Sequence, residues 1–335
     1  MRNKKIKTVL LPLCAILLAF VLLLAIASML EKKTSQSGKT QDSGSKEEVV
    51  SQSDSSHNTI VYEGNTYEYN SNLENYLFLG VDTKEEVVLQ DTPGTAGQAD
   101  CIMVLSVNRK DKTARILQIS RDSMTDIDLY DINGNYFTSV RAQIATQYAY
   151  GNGKDTSCWA MKKTVSRLLY DLPLEGCMSL NIDGIHAIND AVGGVTLTVP
   201  EDYTSIDPAF IKGTQITLNG EQAERYVRYR DIEEEESNND RMRRQVQYIP
   251  ALIAEVKEKA GKSGDYYETY QSVLAPYLVT DLNANQINRL TEYSLSGEVF
   301  YVPGEIEASG EHEEFLVDEE KLKEIILKMF YKLQE

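Results

Sequence analysis

Histidine is scarce in this sequence: three residues, at 57, 186 and 312, in a chain of 335. That scarcity excludes a histidine-rich zinc site. Cysteine is nearly as rare, at positions 14, 101, 158 and 177, and no CxxC pair occurs, which rules out a zinc ribbon and a dithiol redox centre. Positive charge is in deficit, 34 Lys and Arg against 51 Asp and Glu, so a general nucleic-acid binder is excluded. No G-x-S-x-G occurs and His186 sits beside an Asp-Gly turn, which argues against a secreted serine hydrolase. No internal repeat is present. What remains is an ordinary globular composition, 42% hydrophobic and 25% charged, long enough for one large domain or two modest ones.

One hydrophobic run stands apart. Residues 9–30 carry no charge and depart from small or apolar types only at Pro12 and Ser28. At 1.5 Å per residue such a helix is about 33 Å long, enough to cross the hydrocarbon core. Arg2, Lys4, Lys5 and Lys7 precede it. The positive-inside rule therefore predicts a cytoplasmic N-terminus at 1–8, a single-pass anchor in the cell membrane at 9–30, and an extracellular remainder. Ala25-Ile26-Ala27 offers the rival reading, a cleaved signal peptide that would export the same domain. The run exceeds the usual h-region of about 7–15 residues, which favours a retained anchor.

Residues 31–58, rich in Ser, Gly, Lys and acids, read as a flexible stalk, with a lead-in strand up to residue 71. Beyond residue 33, 28 cationic side chains face 50 acidic ones. Any anionic substrate must then be drawn in by a local concentration of cations. Three exported cysteines make a poor disulfide framework; a bridge between Cys158 and Cys177 and a set of three buried thiols are both open.

Strands and helices then alternate. The pattern predicts strands at 76–81, ending in Asp82; at 101–107, headed by Asp100; at 115–119, ending in Ser120-Arg121-Asp122; and at 177–181 and 195–199. Helices are predicted at 140–150, 158–170 and 183–192. Another follows Asn219, with Gln222 completing a capping box, and a long one runs from 240 to 259, kinked or divided by Pro250. This alternation implies an α/β layered domain with charged residues at strand ends. Past residue 260, two helical stretches, an isolated strand at 299–302 and an amphipathic helix at 319–333 predict a small α-rich C-terminal part concerned with packing.

Arginine is unevenly spread: six residues (225, 228, 230, 241, 243, 244) fall between Arg225 and Arg244. Arg228 and Arg230 share a face if their stretch is extended. Arg241, Arg244 and Gln245 form one helical stripe, and Arg243 points elsewhere. If Asp240 begins that helix, Arg241 lies in its first turn, where the dipole already favours an anion. Guanidinium forks grip phosphate oxygens bidentately, so the segment reads as a phosphate or pyrophosphate clamp. The competing reading is a solvated ion-pair network with residues 233–236, all glutamate. Asp82 and Asp100, if a return through Gly80 and the glycines at 94 and 97 joins them, would suit Mg²⁺ sharing its shell with substrate phosphates; taken alone, a strand-end Asp more often caps a turn or helix. Arg121 beside Asp122 adds a cation. Two acids with convergent arginines is the set phosphoryl transfer needs.

Nine segments, in order, resemble the LytR–CpsA–Psr family. They are Asn75-Tyr-Leu-Phe-Leu-Gly-Val-Asp82, Ala99-Asp-Cys-Ile-Met103, Ile119-Ser-Arg-Asp122, Tyr148-Ala-Tyr-Gly151, Asn181-Ile-Asp-Gly184, Asn189-Asp-Ala-Val-Gly-Gly-Val195, Leu218-Asn-Gly-Glu-Gln-Ala223, Tyr226-Val-Arg-Tyr-Arg230 and Arg241-Met-Arg-Arg-Gln245. The resemblance covers about residues 72–257. It implies an α/β/α layered sandwich with a central mixed sheet, a catalytic domain at 72–260 and an accessory region at 261–335. It also implies an apolar groove for the tail of a polyprenyl (pyro)phosphate. Members move a lipid-linked glycopolymer, such as teichoic acid or capsule, onto peptidoglycan through a phosphodiester, with Mg²⁺. The partners implied are that lipid-linked glycan, peptidoglycan and the membrane.

Carried across by motif, Asp82 and Asp100 would hold the metal. Arg121, Arg228, Arg230, Arg241 and Gln245 would bind the pyrophosphate and stabilise charge in the transition state, with Arg244 assisting. Three positions depart from the family pattern: Gln98 and Gln143 stand where members commonly carry a cation, and Asn238 where they carry Asp. Arg141 would replace the cation lost at 143, so Gln98, Arg141, Gln143 and Arg244 are expected to contact substrate. The departures keep two other readings open, a non-catalytic polyprenyl-phosphate-binding envelope regulator and a pyrophosphate hydrolase using the same site. The helices at 140–150 and 158–170 either line the lipid groove or pack the core.

Overall fold

The computed structural model describes residues 59–131, 134–230, 237–263, 273–283, 286, 290, 293–309 and 312–334. The predicted anchor, the stalk and the glutamates at 233–236 lie outside the described residues. Among the described residues no helix is long and apolar enough to cross a membrane.

Runs of apolar residues with little interruption build the centre. Strands β1 (Thr59–Tyr62) and β2 (Asn65–Tyr69) lead into β3 (Leu73–Val81), β4 (Ala99–Asn108) and β5 (Thr113–Ile119). A hairpin of β6 (Met124–Tyr130) and β7 (Tyr136–Gln143) follows, then a 3₁₀ turn (Ile144–Tyr150) and α1 (Asp155–Leu168). Next come β8 (Gly176–Asn181), α2 (Ile182–Ala191), β9 (Val195–Thr198), β10 (Gln215–Leu218), α3 (Gly220–Arg228) and α4 (Ser237–Ser263). The chain ends with β11 (Leu278–Thr280), β12 (Ser294–Tyr301), β13 (Gly304–Ser309), β14 (His312–Val317), α5 (Glu319–Phe330) and β15 (Tyr331–Leu333).

Six strands form one mixed sheet in the order β11-β8-β3-β4-β5-β12, with β8/β3 and β5/β12 parallel and the other pairs antiparallel. The two-residue period of a strand sends alternate side chains to opposite faces. Leu77, Leu79, Ile102, Val104 and Leu117 pack on one side with Met161 and Val165 of α1 and Leu322, Ile326 and Phe330 of α5. Met103, Leu105 and Ile116 face the other way, towards Ile249 of α4. There α2, α3 and α4 share a second cluster through Ile188, Tyr226 and Tyr248. Each such buried side chain contributes about 1.5–3 kcal/mol from removal of apolar surface from water. The layered α/β/α arrangement expected from sequence is thus the one observed.

Four local expectations are corrected. The C-terminal part is neither α-rich nor an appendage: β11 and β12 are the two edges of the central sheet, and β13 pairs with β14. A strand's partner across the sheet is a long-range choice that its own sequence does not encode. Residues 140–150 are not one helix, because hairpin pairing with β6 holds the chain extended to Gln143 before the 3₁₀ turn starts. The last helix stops at Phe330, where Tyr331–Leu333 pairs with β2. The long helix begins at Ser237 and continues through Pro250 to Ser263. Asn219 does form the predicted capping box with Gln222. Cys101, Cys158 and Cys177 are free thiols, so the 158–177 bridge is not formed.

Candidate active site

The β3–β4 return is what brings the two predicted acids together. The Asp82 N–H donates to the Gln98 carbonyl at 2.9 Å, and the Gln98 N–H donates to Asp82 Oδ1 at 2.6 Å. Gly97 makes this closure possible: its φ is +82°, and a Cβ there would strike Thr83 Oγ1 and sit 2.9 Å from the Asp82 carboxylate. Burial pushes the Asp82 carboxyl upward, and neighbouring Asp100 adds to the rise against the Gln98 N–H and the Arg121 and Arg228 guanidiniums.

Asp100, within β4 rather than at its head, takes one guanidinium on each oxygen. Arg121, just past β5, pairs with Oδ1, and Arg241 Nη1 lies 3.4 Å from Oδ2. Arg121 also donates to Gln98 Oε1 at 2.5 Å and lies 3.5 Å from Asp122. Asp122 is the hub beneath. It is 3% exposed and accepts from Asn238 Nδ2 at 3.0 Å and Gln143 Nε2 at 3.1 Å, with Arg230 at 3.7 Å. Burial drives its carboxyl upward against the pull of Arg121, Arg230 and Arg241. Asn238 Oδ1 in turn accepts from Arg241 Nη2 at 2.6 Å, and Asn238 Nδ2 also donates to Ser120 Oγ at 2.8 Å.

Arg228 ends α3 and pairs with Glu224 one turn earlier at 2.5 Å; Glu224 also meets His186 Nε2 at 2.5 Å. Because Arg228 is helical, it does not share an extended face with Arg230, whose guanidinium instead pairs with Glu313 on β14. With the helix starting at Ser237, Arg241 falls beyond the first turn, and Asn238 occupies it. Arg228, Asp82 and Asp100 stand together at the lip of a groove between the sheet and the helices α2 to α4, walled by Phe78, Met103, Ile116, Ile188, Ile249 and Leu252. The groove holds about 1330 Å³ of space, including solvent at its open end.

Of the other expected substrate contacts, the structure gives most a bracing position. Arg244 is 3% exposed, donates to the Tyr226 carbonyl at 2.7 Å and to the Tyr229 carbonyl, and lies over the Tyr203 ring. It holds the 226–230 segment in place instead of facing the groove. Gln245 borders the groove while bonded to Gln118 at 2.9 Å and the Val227 carbonyl at 3.1 Å. Gln143 is committed to Asp122 and the Glu313 carbonyl, and Gln98 to Asp82 and Arg121. Arg141 is exposed on β7 opposite Asp126, with no side-chain hydrogen bond or ion pair to a described residue. Arg243 points to Asp240 at the surface, as expected. Glu313, Glu224 and the hub role of Asn238 escaped the sequence reading. Glu313 lies 83 residues from Arg230, so no local spacing could flag it.

Among the described residues no group of three or more His, Cys, Asp or Glu could cage a metal alone. The donor set does fit Mg²⁺ in the mode where it keeps waters and shares substrate phosphates, which needs only one or two carboxylates. Charge points the same way. Arg121, Arg228, Arg230 and Arg241 are already matched by Asp100, Asp122, Glu224 and Glu313, with Asp82 additional. A pyrophosphate would enter a site with no surplus positive charge, and a divalent cation between Asp82 and Asp100 would supply it.

The chain is similar to known proteins. A family model, the LytR_cpsA_psr family, matches residues 24–329. The chain is 29% identical over 175 residues to the polyisoprenyl-teichoic acid–peptidoglycan teichoic acid transferase TagU of Halalkalibacterium halodurans, covering 52% of this chain and 51% of that protein. It is 27% identical over 208 residues to the corresponding transferase TagV of Bacillus subtilis, covering 58% and 48%. The chain thus spans about half the length of these curated relatives. A solved structure of TagT bound to LI-WTA shares the fold, with a TM-score of 0.57 at 24% identity over 77% of this chain and 89% of that one.

Proposed function

Because the chain belongs to the LytR_cpsA_psr family, we propose that it is a membrane-anchored extracellular phosphotransferase that moves a polyprenyl-pyrophosphate-linked glycopolymer onto peptidoglycan. One observation carries the reading: arginines and paired carboxylates meet at the lip of a long apolar groove. Only an amphiphile with a hydrocarbon tail and an anionic head satisfies both parts at once. The names of the TagU and TagV relatives support the same substrate class.

In this mechanism the groove buries the polyprenyl chain and fixes the pyrophosphate at its mouth. Arg121, Arg228, Arg230 and Arg241 turn from Asp100, Glu224 and Glu313 to phosphate oxygens. Asp122 and Asn238 hold Arg121, Arg230 and Arg241 at fixed spacing, so little reorganisation accompanies the reaction. An acceptor hydroxyl attacks the phosphorus that bears the glycan, and its proton passes to solvent. The bond from that phosphorus to the bridging oxygen breaks, and polyprenyl phosphate leaves. Mg²⁺ held by Asp82 and Asp100 would neutralise charge on the transferring group. Gln245 shapes the groove wall, and Arg244 keeps the 226–230 segment in position.

The test supplies the full chain in detergent with a lipid-linked glycan, peptidoglycan fragments and Mg²⁺. Polyprenyl phosphate release that depends on both the acceptor and the metal supports the reading. Release without acceptor would make the protein a hydrolase, and tight lipid-phosphate binding without release would make it a regulator.

A further inference from the structure

We propose that a second cleft, beside the β6–β7 hairpin, is a saccharide subsite in which a pyranose ring of the acceptor glycan stacks against Trp159. The inference rests on the transfer reading above and names where its acceptor is held. Gln90, Asp91, Pro93, Tyr130, Tyr150 and Trp159 line a space of about 750 Å³, including solvent at its open side.

Trp159 is the sole tryptophan of the chain and is 50% exposed on α1. Its indole is braced by two neighbours: the Tyr130 ring lies 5.6 Å away, tilted by 59°, and Lys163 Nζ lies over it at 5.6 Å from its centroid. Tyr136, also exposed, meets Tyr130 edge-on at 6.3 Å. A half-exposed, braced indole complements the C–H face of a pyranose, and the hydroxyl rim of the sugar requires hydrogen-bonding groups nearby. Two are at hand, because the Asp91 carboxylate and the Tyr150 hydroxyl make no hydrogen bond to a described residue.

Charge selects the occupant. The described lining holds Asp91 and Asp131 and neither Lys nor Arg. Lys163, against the indole, shares Asp128 with Arg167, at 2.8 and 3.1 Å, so with Asp91 and Asp131 the surroundings hold three acids against two cations. A phosphate-bearing polymer is therefore repelled, whereas an uncharged hydroxyl-rich saccharide is accepted, which distinguishes the acceptor from the polyanionic donor. The cleft is also tied to the phosphate site. The loop that carries Gln90 and Asp91 ends at Asp82 and Gln98, and it is pinned by Gln90 N–H to the Asn152 carbonyl at 2.9 Å and Gly94 N–H to the Ala149 carbonyl at 2.8 Å. Tyr150 and Gly151 of the Tyr148-Ala-Tyr-Gly151 segment, which the phosphate chemistry leaves unused, thereby gain a role in lining this cleft.

A lone tryptophan makes its own probe. The full chain in detergent is titrated with an N-acetylglucosamine tetramer, with muramidase-released peptidoglycan fragments, and with poly(glycerol phosphate). The first two are expected to shift Trp159 emission saturably and protect it from acrylamide, and the third to do neither. Trp159→Ala, with an unchanged circular dichroism spectrum, is expected to raise the acceptor KM about tenfold or more while kcat and lipid-pyrophosphate binding stay at wild-type values. No saturable response up to about 10 mM saccharide, the weak end of specific binding, overturns the proposal. So does an unchanged acceptor KM in Trp159→Ala, or a response to the polyanion alone. Transfer without a saccharide response sinks only this subsite; saccharide binding in a protein that never transfers sinks only the transferase reading.

Discussion

Replacing Arg228 and Arg230 together with alanine should remove the chemistry and spare most of the stability. Both side chains are partly open to solvent, at 35% and 20%; of the acids they leave, Glu224 and Asp122 keep other partners, while Glu313, itself 20% exposed, loses its described partner. Glu224 retains His186 at 2.5 Å, and Asp122 retains Asn238 at 3.0 Å. Pairs that still reach solvent contribute about 0–1 kcal/mol each, and leaving Glu313 without a partner adds about 1 kcal/mol, so the double variant should lose no more than about 3 kcal/mol of folding free energy. A charged hydrogen bond to phosphate is worth about 1.5–3 kcal/mol, so two of them remove about 3–6 kcal/mol from the transition state. That corresponds to a fall of about 10²–10⁴-fold in kcat/KM for polyprenyl phosphate release. Arg241→Ala supplies the contrast. At 3% exposure, with Asp100 and Asn238 as partners, its removal breaks a buried pair. It should cost about 3–5 kcal/mol and lose activity together with the fold. A double variant that stays folded with more than about a tenth of wild-type kcat/KM would refute the clamp, because that loss is worth only one weak contact. A double variant that unfolds would return the arginines to a structural role.

Gly97→Ala forces a Cβ into Thr83 and the Asp82 carboxylate at a φ of +82°. A melting curve should show a loss of more than about 1 kcal/mol, and transfer should fall with it. At Asp128 burial opposes ionisation, yet hydrogen bonds from Lys163, Ser139 and Arg167 outweigh it and hold the carboxyl at about 2, against an ordinary 3.8. Its stabilisation is therefore complete above the ordinary value and is lost as pH falls through the folded one. Asp128→Asn should be less stable at pH 7 by about 1–2 kcal/mol after solvent screening of the exposed Lys163 and Arg167, and the difference should close as denaturation is followed from pH 4 towards 2. Ile185→Trp fills a position on the groove wall. It should weaken long-chain polyprenyl-phosphate binding in a lipid-binding assay at nearly constant Tm; a closed core would instead lose about 1–3 kcal/mol by overpacking.

How much of this was legible in advance varied with the range of the interaction. The strands carrying Asp82 and Asp100 announce themselves through uninterrupted apolar runs, and Asn219 with Gln222 is a contact three residues long. The 140–150 stretch misled because Val140, Ile144 and Tyr148 repeat every four residues, while the partner that holds half of it extended is another strand. Arg244 and Arg241 sit on the same helical stripe, yet one braces backbone carbonyls and the other meets Asp100. Nothing in their spacing distinguishes these fates.

The alternation of elements, the Asn219–Gln222 cap and the concentration of arginine can be read along the chain, because each depends on residues near one another. Only the tertiary structure decided which guanidiniums face the groove, that Glu313 reaches Arg230 across 83 residues, and that β11 and β12 close the central sheet. Those outcomes follow from packing between distant segments, where the competing partners of a charged side chain or a strand edge differ by a kcal/mol or so and local pattern carries no record of the choice.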